Sequence, residues 1–472
     1  MPFDDSLPQY GTRHGVLPTE DPSVAVSPPA MWAEALELMF AALASSGHDL
    51  STLRAISGAA QQHGSVYLAA DGSFSRSVAP IWMDTSTRDE CLEITQALGG
   101  AAALAARTGS RAFERFTGPQ IRKFFETDPH GYAETARVHL VSSFLASELI
   151  DAEAPLDPGD ASGMNLMDLS TGSWWPDAVE ATAPGLATRL PMIVPAGTII
   201  GTLAPRWQAR FRLPAARVVV WTGDNPSSLI GTGLIEEGRV GVSLGTSDTI
   251  FGLMREPRVD AGGTGHVFGA PTGDYMGITV FKNGSLARET VRDTYGLDWP
   301  GVSAALRATP PGNHGRLMLP WFEPEITPDM PTPGVHRRDL DPADAAANVR
   351  AVLEAQMMAM ANHSAWMGVD VRDIHATGGA AVNNDILQIM ADVFNATVKR
   401  FHVGNSACLG AALRAWHADA ASSSHPLSWH DVTCDLAQPT GQVFAPRPDA
   451  VSVYRDLRAQ YAAFEQVVRQ AR

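Results

Sequence analysis

The sequence predicts an α/β protein, helices layered on sheet, and three stretches carry that prediction. Residues 374–384 read as a strand and a glycine turn opening into a helix over 386–394, and residues 398–402 repeat the pattern into a helix over 406–417. The third stretch, Val218-Val219-Val220, is apolar without alternation, as in a strand buried on both faces, and it runs into a turn at Gly223 and Asp224. At 472 residues the chain exceeds one ordinary core, so two or three such domains are expected.

In chain order, the first 28 residues are rich in Pro, Gly and Asp and read as loop or edge strand. Helical periodicity begins at Pro29 and continues through Phe40. Short strands are expected at 53–58, 66–68 and 80–84, and the stretches 86–107 and 118–150 read largely as helix. Beyond Thr188 strands alternate with turns, through 197–203, up to the Asp224 turn. Residues 240–244 and 248–251 are strands about a Gly245-Thr246-Ser247 turn, followed by helices around 284–295 and 342–368. The run from Pro320 to Pro333 reads as a long surface loop. No short-period repeat or low-complexity tract interrupts this order.

Composition narrows the function classes. Hydrophobic residues make up 45% of the chain and charged residues 18%, the balance of a packed globular protein. Acidic residues outnumber basic ones 51 to 35, and the formal net charge of −16 disfavours nucleic acid and anionic lipid as partners. Cys91, Cys408 and Cys434 lie far apart without metal-ligand spacing and read as small core thiols of a reducing compartment. The start of the chain has no basic region followed by an apolar core, and no apolar run reaches the ~18 residues of a membrane span. The expectation is a soluble cytoplasmic protein with small-molecule partners, with oligomeric state left open and a homodimer among the alternatives.

Candidate chemistry concentrates at the turns. Asp224 and Asn225 sit where a buried strand leaves the sheet, the end at which open α/β sheets bind ligands. A carboxylate there is either a turn cap or a base for an attacking hydroxyl. Gly245, Thr246 and Ser247 form either a plain hairpin turn or a cradle of amides and hydroxyls for phosphate. Gly378 and Gly379 precede a helix whose first amides could face an anion. His63 follows Gln61-Gln62 at a strand end, and Arg115 lies in a Phe-Glu-Arg-Phe loop; each has a structural reading beside the binding one. The acidic turn 168–172 reads as a decoy in a surface hairpin. No G-x-x-x-x-G-K-[ST] loop occurs, and Gly231-Thr232-Gly233 does not complete a dinucleotide fingerprint.

Taken in order, these pieces resemble the FGGY carbohydrate kinases, and within them the branch that phosphorylates xylulose. The resemblance runs through Ser57-Gly58-Ala59-Ala60-Gln61-Gln62-His63-Gly64, Trp82-Met83-Asp84, residues 109–118, Asp160-Ala161-Ser162-Gly163-Met164-Asn165, and Thr222-Gly223-Asp224-Asn225-Pro226. It continues through residues 243–249 and 281–286, then Ala376-Thr377-Gly378-Gly379-Ala380 and residues 405–410. It implies a two-domain, actin/hexokinase-like (ribonuclease H-like) α/β fold with the active site in an interdomain cleft. Residues 1–238 would be the sugar-binding domain and 239–472 the nucleotide-binding domain.

The implied reaction is transfer of a phosphoryl group from ATP, with Mg²⁺, to the C5 hydroxyl of D-xylulose. Asp224 resembles the general base, and His63, Arg115, Asp224 and Asn225 resemble the sugar contacts. Gly245, Thr246, Ser247, Trp299, Gly379, Ala380 and Asn383 resemble the ATP contacts, and no metal ligand is assigned. The family opens with a strand, an Asp-x-Gly-Thr or Asp-x-Ser-Thr turn and a second strand; this sequence begins after that N-terminal hairpin. The expectation is that this start falls too late and that the protein is a longer kinase. The alternatives are a kinase of another pentulose such as ribulose and a catalytically inactive sugar-binding relative.

Overall fold

A computed structural model describes residues 2–401, 404–439 and 441–471 and divides the chain into two compact units. The first holds the chain up to Gly233, Val267–Tyr275 and Asn405–Leu436; the second holds Leu234–His266, Met276–Gly404 and the residues from Ala437 onward. The units are therefore not separated by one cut at 238/239, because Asn405–Leu436 returns to the first unit. Packing gives the reason. The helix Ser406–Ala421 crosses the helix Asp224–Gly231 so closely that a Cβ on Gly410 would strike the Ser227 backbone, and one on Gly231 the Ser406 backbone.

In the first unit, the strand Ala55–Ile56 runs parallel to Arg217–Val219, and Ala59–Ala60 runs parallel to Thr222–Gly223. The strand Ile199–Thr202 flanks Arg217–Val219 on the other side, antiparallel. Val218, Val219 and Val220 are fully buried, as their unbroken apolar run predicts. Val218 joins a core built with Leu36, Phe40, Leu149, Leu203, Trp207 and Phe211. The helix Pro29–Ala44 starts at the expected proline, whose fixed φ and missing N–H suit the first helical position.

In the second unit, six neighbouring strands of the sheet lie in the order Tyr275–Phe281, Asp248–Met254, Arg239–Leu244, Asp373–Thr377, Thr397–Arg400 and Val443–Phe444. Arg239–Leu244 is antiparallel to Asp248–Met254 and parallel to Asp373–Thr377, which is in turn parallel to Thr397–Arg400. The helix Ala345–His363 is buried along almost its whole length, and its buried polar residues pair internally, Arg350 with Glu354.

Several expectations need correction. Residues 118–150 are interrupted by a strand, Arg137–Leu140, because its backbone pairs antiparallel with Ser65–Leu68 and the helix resumes only at Val141. The strand at 80–84 shrinks to Ala79–Pro80, since the Ile81 carbonyl accepts from the Asp84 amide and closes a turn. The 320–333 stretch is not merely a surface loop: Pro320 and Trp321 end a buried strand, Leu317–Trp321, and Glu325 and Thr327 are buried. Of the cysteines only Cys91 is buried; Cys408 is exposed and Cys434 half-buried. His402, expected at a strand end, lies outside the described residues.

Candidate active site

The parallel pairing of Ala59–Ala60 with Thr222–Gly223 decides the first constellation. Two neighbouring parallel strands end together, so Gln61-Gln62-His63 and Asp224-Asn225 leave the sheet side by side. The bond from Asn225 Nδ2 to Gln62 Oε1 (2.9 Å) ties the two turns, and Gln62 Nε2 donates to the Gly159 carbonyl at 3.1 Å. Gln62 thus braces the site; sequence reading quoted it without giving it a role.

Asp224 is the first residue of its helix and stays partly exposed. Its Oδ1 accepts from the Asn225 amide at 2.9 Å. Burial lifts its carboxyl to about 6, while amide donors from Asn225 and Gln62 pull it back. At neutral pH the group is ionised yet still basic enough to take a proton from a hydroxyl.

His63 has left-handed backbone (φ 72°) and is 7% exposed. Its Nδ1 lies 2.7 Å from the Gly163 carbonyl, and its ring lies 4.4 Å from that of Phe116. Burial drives its imidazole down to about 3; the Gly163 carbonyl opposes that shift and the Arg115 charge adds to it. A carbonyl can only accept, so Nδ1 carries the proton and Nε2 keeps its lone pair. The ring therefore offers an acceptor to a hydroxyl. Arg115 stands in the loop before the helix Thr117–Thr127, its guanidinium 5.9 Å from the centre of the Phe113 ring. Thr117 Oγ1 donates to the His63 carbonyl (2.9 Å), and Gln120 Nε2 donates to the carbonyls of Arg115 (2.9 Å) and Ile81 (3.3 Å). The first unit thus gathers an acid, an amide, a neutral imidazole and a guanidinium in loops braced to one another.

The second constellation is a cavity of about 530 Å³ in the second unit, within the range of small-molecule sites. Gly245, Thr246, Trp299, Gly379, Ala380 and Asn383 all line it. Ser247, on the same turn as Gly245, is not among the lining residues. Ser285, Arg288 and Glu289 line it too; Ser285 falls in the 281–286 stretch of the resemblance without a role assigned to it, and Arg288 and Glu289 lie beyond that stretch on the helix Ser285–Thr294.

The two glycines at 378–379 have different causes. Gly378 has φ 88° and would place a Cβ 2.5 Å from the Leu244 carbonyl oxygen, a steric demand of the fold. A Cβ on Gly379 would meet nothing within 4 Å, leaving room for a ligand. Asn383 is tied up structurally: its Oδ1 caps the helix Asn384–Phe394 through the amides of Asp385 and Ile386, and its Nδ2 donates to Ser303 Oγ at 2.8 Å. Beneath the Gly245 turn, buried Arg288 binds both oxygens of Asp248 (2.6 and 3.0 Å) and the Gly245 carbonyl (3.2 Å). This ion pair stiffens the turn from below. The 168–172 turn is a hairpin between Met167–Asp168 and Ser173–Trp174, and Asp168 accepts from the Ser170 amide and hydroxyl rather than from a ligand.

Comparison with known proteins matches this geometry to a family. The model described as "FGGY family of carbohydrate kinases, N-terminal domain" matches residues 16–231, and its C-terminal counterpart matches residues 240–418. The xylulose kinase of Rattus norvegicus is 40% identical over 98% of this chain and 91% of its own length. Among solved structures, the xylulose kinase from Rhodospirillum rubrum superimposes with a TM-score of 0.86 at 21% identity, covering 97% of this chain and 93% of that one. The gluconate kinase from Lactobacillus acidophilus does so with a TM-score of 0.85 at 17% identity, covering 96% and 91%. These likenesses fix the fold as the two-domain, actin/hexokinase-like α/β type, while relatives named for different sugars share it. The chain belongs to the FGGY family of carbohydrate kinases.

Proposed function

We propose that this chain transfers the terminal phosphoryl group of ATP to the C5 hydroxyl of D-xylulose, with Asp224 as general base. The observation that carries the reading is the shared end of the two parallel strands, which sets Asp224 and Asn225 beside the His63 turn. A neutral ketose offers hydroxyls, and this corner supplies acceptors at Asp224 and His63 Nε2 and donors at Asn225 and Arg115. A site built on such hydrogen bonds rejects sugars that lack the matching hydroxyl. The 40% identical relative named xylulose kinase supports D-xylulose in particular.

In this reading the sugar binds residues of the 1–238 segment and the nucleotide binds residues of 239–472. Gly245 and Thr246 hold phosphate oxygens, and Trp299, Gly379, Ala380 and Asn383 bound the purine and ribose; Ser247 supports the turn. Mg²⁺ fits as the nucleotide's own ion. Among the described residues no cluster of three acidic, histidine or cysteine side chains can hold a metal, and the Asp248 carboxylate is taken by Arg288. Phosphate oxygens and water would supply most of its shell, and its charge would offset that developing on the transferred group.

Among the described residues no helix is long and apolar enough to cross a membrane, in keeping with a cytoplasmic kinase. A coupled assay for ADP release across a panel of ketoses tests the function, with D-xylulose expected to give the highest kcat/KM. Turnover of another pentulose such as ribulose, with none of D-xylulose, would reject the substrate.

A further inference from the structure

Behind Asp224 the first unit buries two more acids. Asp157 and Asp160 are both fully buried at the ends of one turn, just below the Gly159 carbonyl that Gln62 grips. Asp157 is better provided: its Oδ1 accepts from Thr222 Oγ1 (2.8 Å) and the Asp160 amide (3.0 Å), and its Oδ2, which makes no hydrogen bond among the described residues, faces the Arg414 guanidinium at 3.7 Å. Asp160 has less. Its Oδ2 shares a hydrogen bond with the Ser142 hydroxyl, and among the described residues its Oδ1 has no partner.

The groups facing Asp160 are Ser142 from the helix Val141–Ile150, Asp157 from its own turn, Arg414 from the helix Ser406–Ala421 and Asp224 from the helix that follows Gly223. The cluster thus has three carboxyls and one buried cation. That cation is committed elsewhere: Arg414 also donates to the carbonyls of Val220 (2.9 Å), Ala196 (3.2 Å) and Gly58 (3.4 Å). A buried carboxylate needs several donors or a close cation, and Asp160 has one hydroxyl.

We propose that Asp160 is a positioning residue that keeps its proton at neutral pH, so that the charge of this corner is left to Asp157 with Arg414 and to the base Asp224. Burial holds its carboxyl well above the usual range; Asp157 and Asp224 add to that effect, and Ser142 and Arg414 oppose it. The consequence reaches the chemistry. A second negative charge beside Asp224 would push that carboxyl further up and leave less of it ionised when the sugar arrives. A neutral Asp160 holds the 157–161 turn in place without that penalty. The consequence for catalysis rests on Asp224 being the base, whereas the protonation state does not.

The test is infrared difference spectroscopy on the full chain at about pH 8, above the range in which an ordinary carboxyl keeps its proton. A protonated-carboxyl C=O band is expected in the wild type, shifted in Ser142→Ala through loss of its hydrogen bond and absent in Asp160→Asn. Asp160→Asn, which copies a neutral acid in shape, should also leave the acid limb of the kcat/KM profile where the wild type has it. No such band in the wild type, or one indifferent to both substitutions, overturns the proposal. So does a downward move of the acid limb by about half a pH unit or more in Asp160→Asn, since that would mean a charge had been removed. Full activity in Asp224→Asn would instead refute the base while leaving the infrared result standing.

Discussion

Asp224 is held between two needs: it must be charged to accept a proton, and its surroundings make charge costly. Replacing it with Asn keeps the shape and removes the base, so kcat should fall by about 10²–10⁴-fold, with little change in sugar affinity by calorimetry. Because its carboxyl sits near 6, kcat/KM in the wild type should decline on the acid side with an apparent pKa close to that value. Stability should move the opposite way. The folded value lies above the unfolded one of about 3.9, so the folded state binds the proton more tightly, and the penalty grows as pH rises from 4 through 6. Asp224→Asn should therefore melt higher than wild type at about pH 8, by about 1–3 kcal/mol of added stability, and match it at about pH 4. A variant that melts lower at both pH values would contradict this. At this scale the sequence showed Asp224 clearly, because an acid closing an unbroken apolar strand is conspicuous. Sequence reading quoted Asp160 without a role, because that role depends on the burial of its carboxyl against the Ser142 hydroxyl, which no local pattern shows.

At the scale of elements, the stretch 378–384 is shaped from outside itself. Arg400, at the end of the neighbouring strand, donates to the carbonyls of Ala381 (2.8 Å) and Val382 (3.1 Å) and to Asn384 Oδ1 (2.7 Å). The turn is thereby pinned with Gly379 facing open space. Gly379→Leu should fold normally and raise the KM for ATP at least about tenfold with the KM for the ketose unchanged, because bulk is added only to the nucleotide cavity. An unchanged KM for ATP would remove this turn from the binding site. Gly378→Ala should instead lose stability, since it combines a left-handed φ with a collision against the Leu244 backbone. The strand–turn–helix order here was legible because strand, glycines and amphipathic helix follow in one local run. The strand Arg137–Leu140 was not, because its cause is a partner strand some seventy residues earlier.

For the whole molecule, length foretold two or three domains but not that a late segment returns to the first unit. Arg414 travels with the returning segment and is 1% exposed, bound to Asp157 and to carbonyls of the first unit. Arg414→Met should cost about 3–5 kcal/mol, since it leaves the buried Asp157 charge without its cation. Hydrogen exchange should show the loss in the first unit, with the 239–254 and 373–400 strands of the second keeping their protection. Equal loss in both would contradict that segregation.

The crossing of Gly410 over the Ser227 backbone also bears on how the chain is made. A ribosome works from the amino end, and the helix that completes the first unit emerges only after some four hundred residues have been synthesised. Until then the face of the helix Asp224–Gly231 that meets Gly410 and Ser406 lacks its covering layer, so the nascent first unit stays partly open and exposed to misassembly while the intervening residues are made.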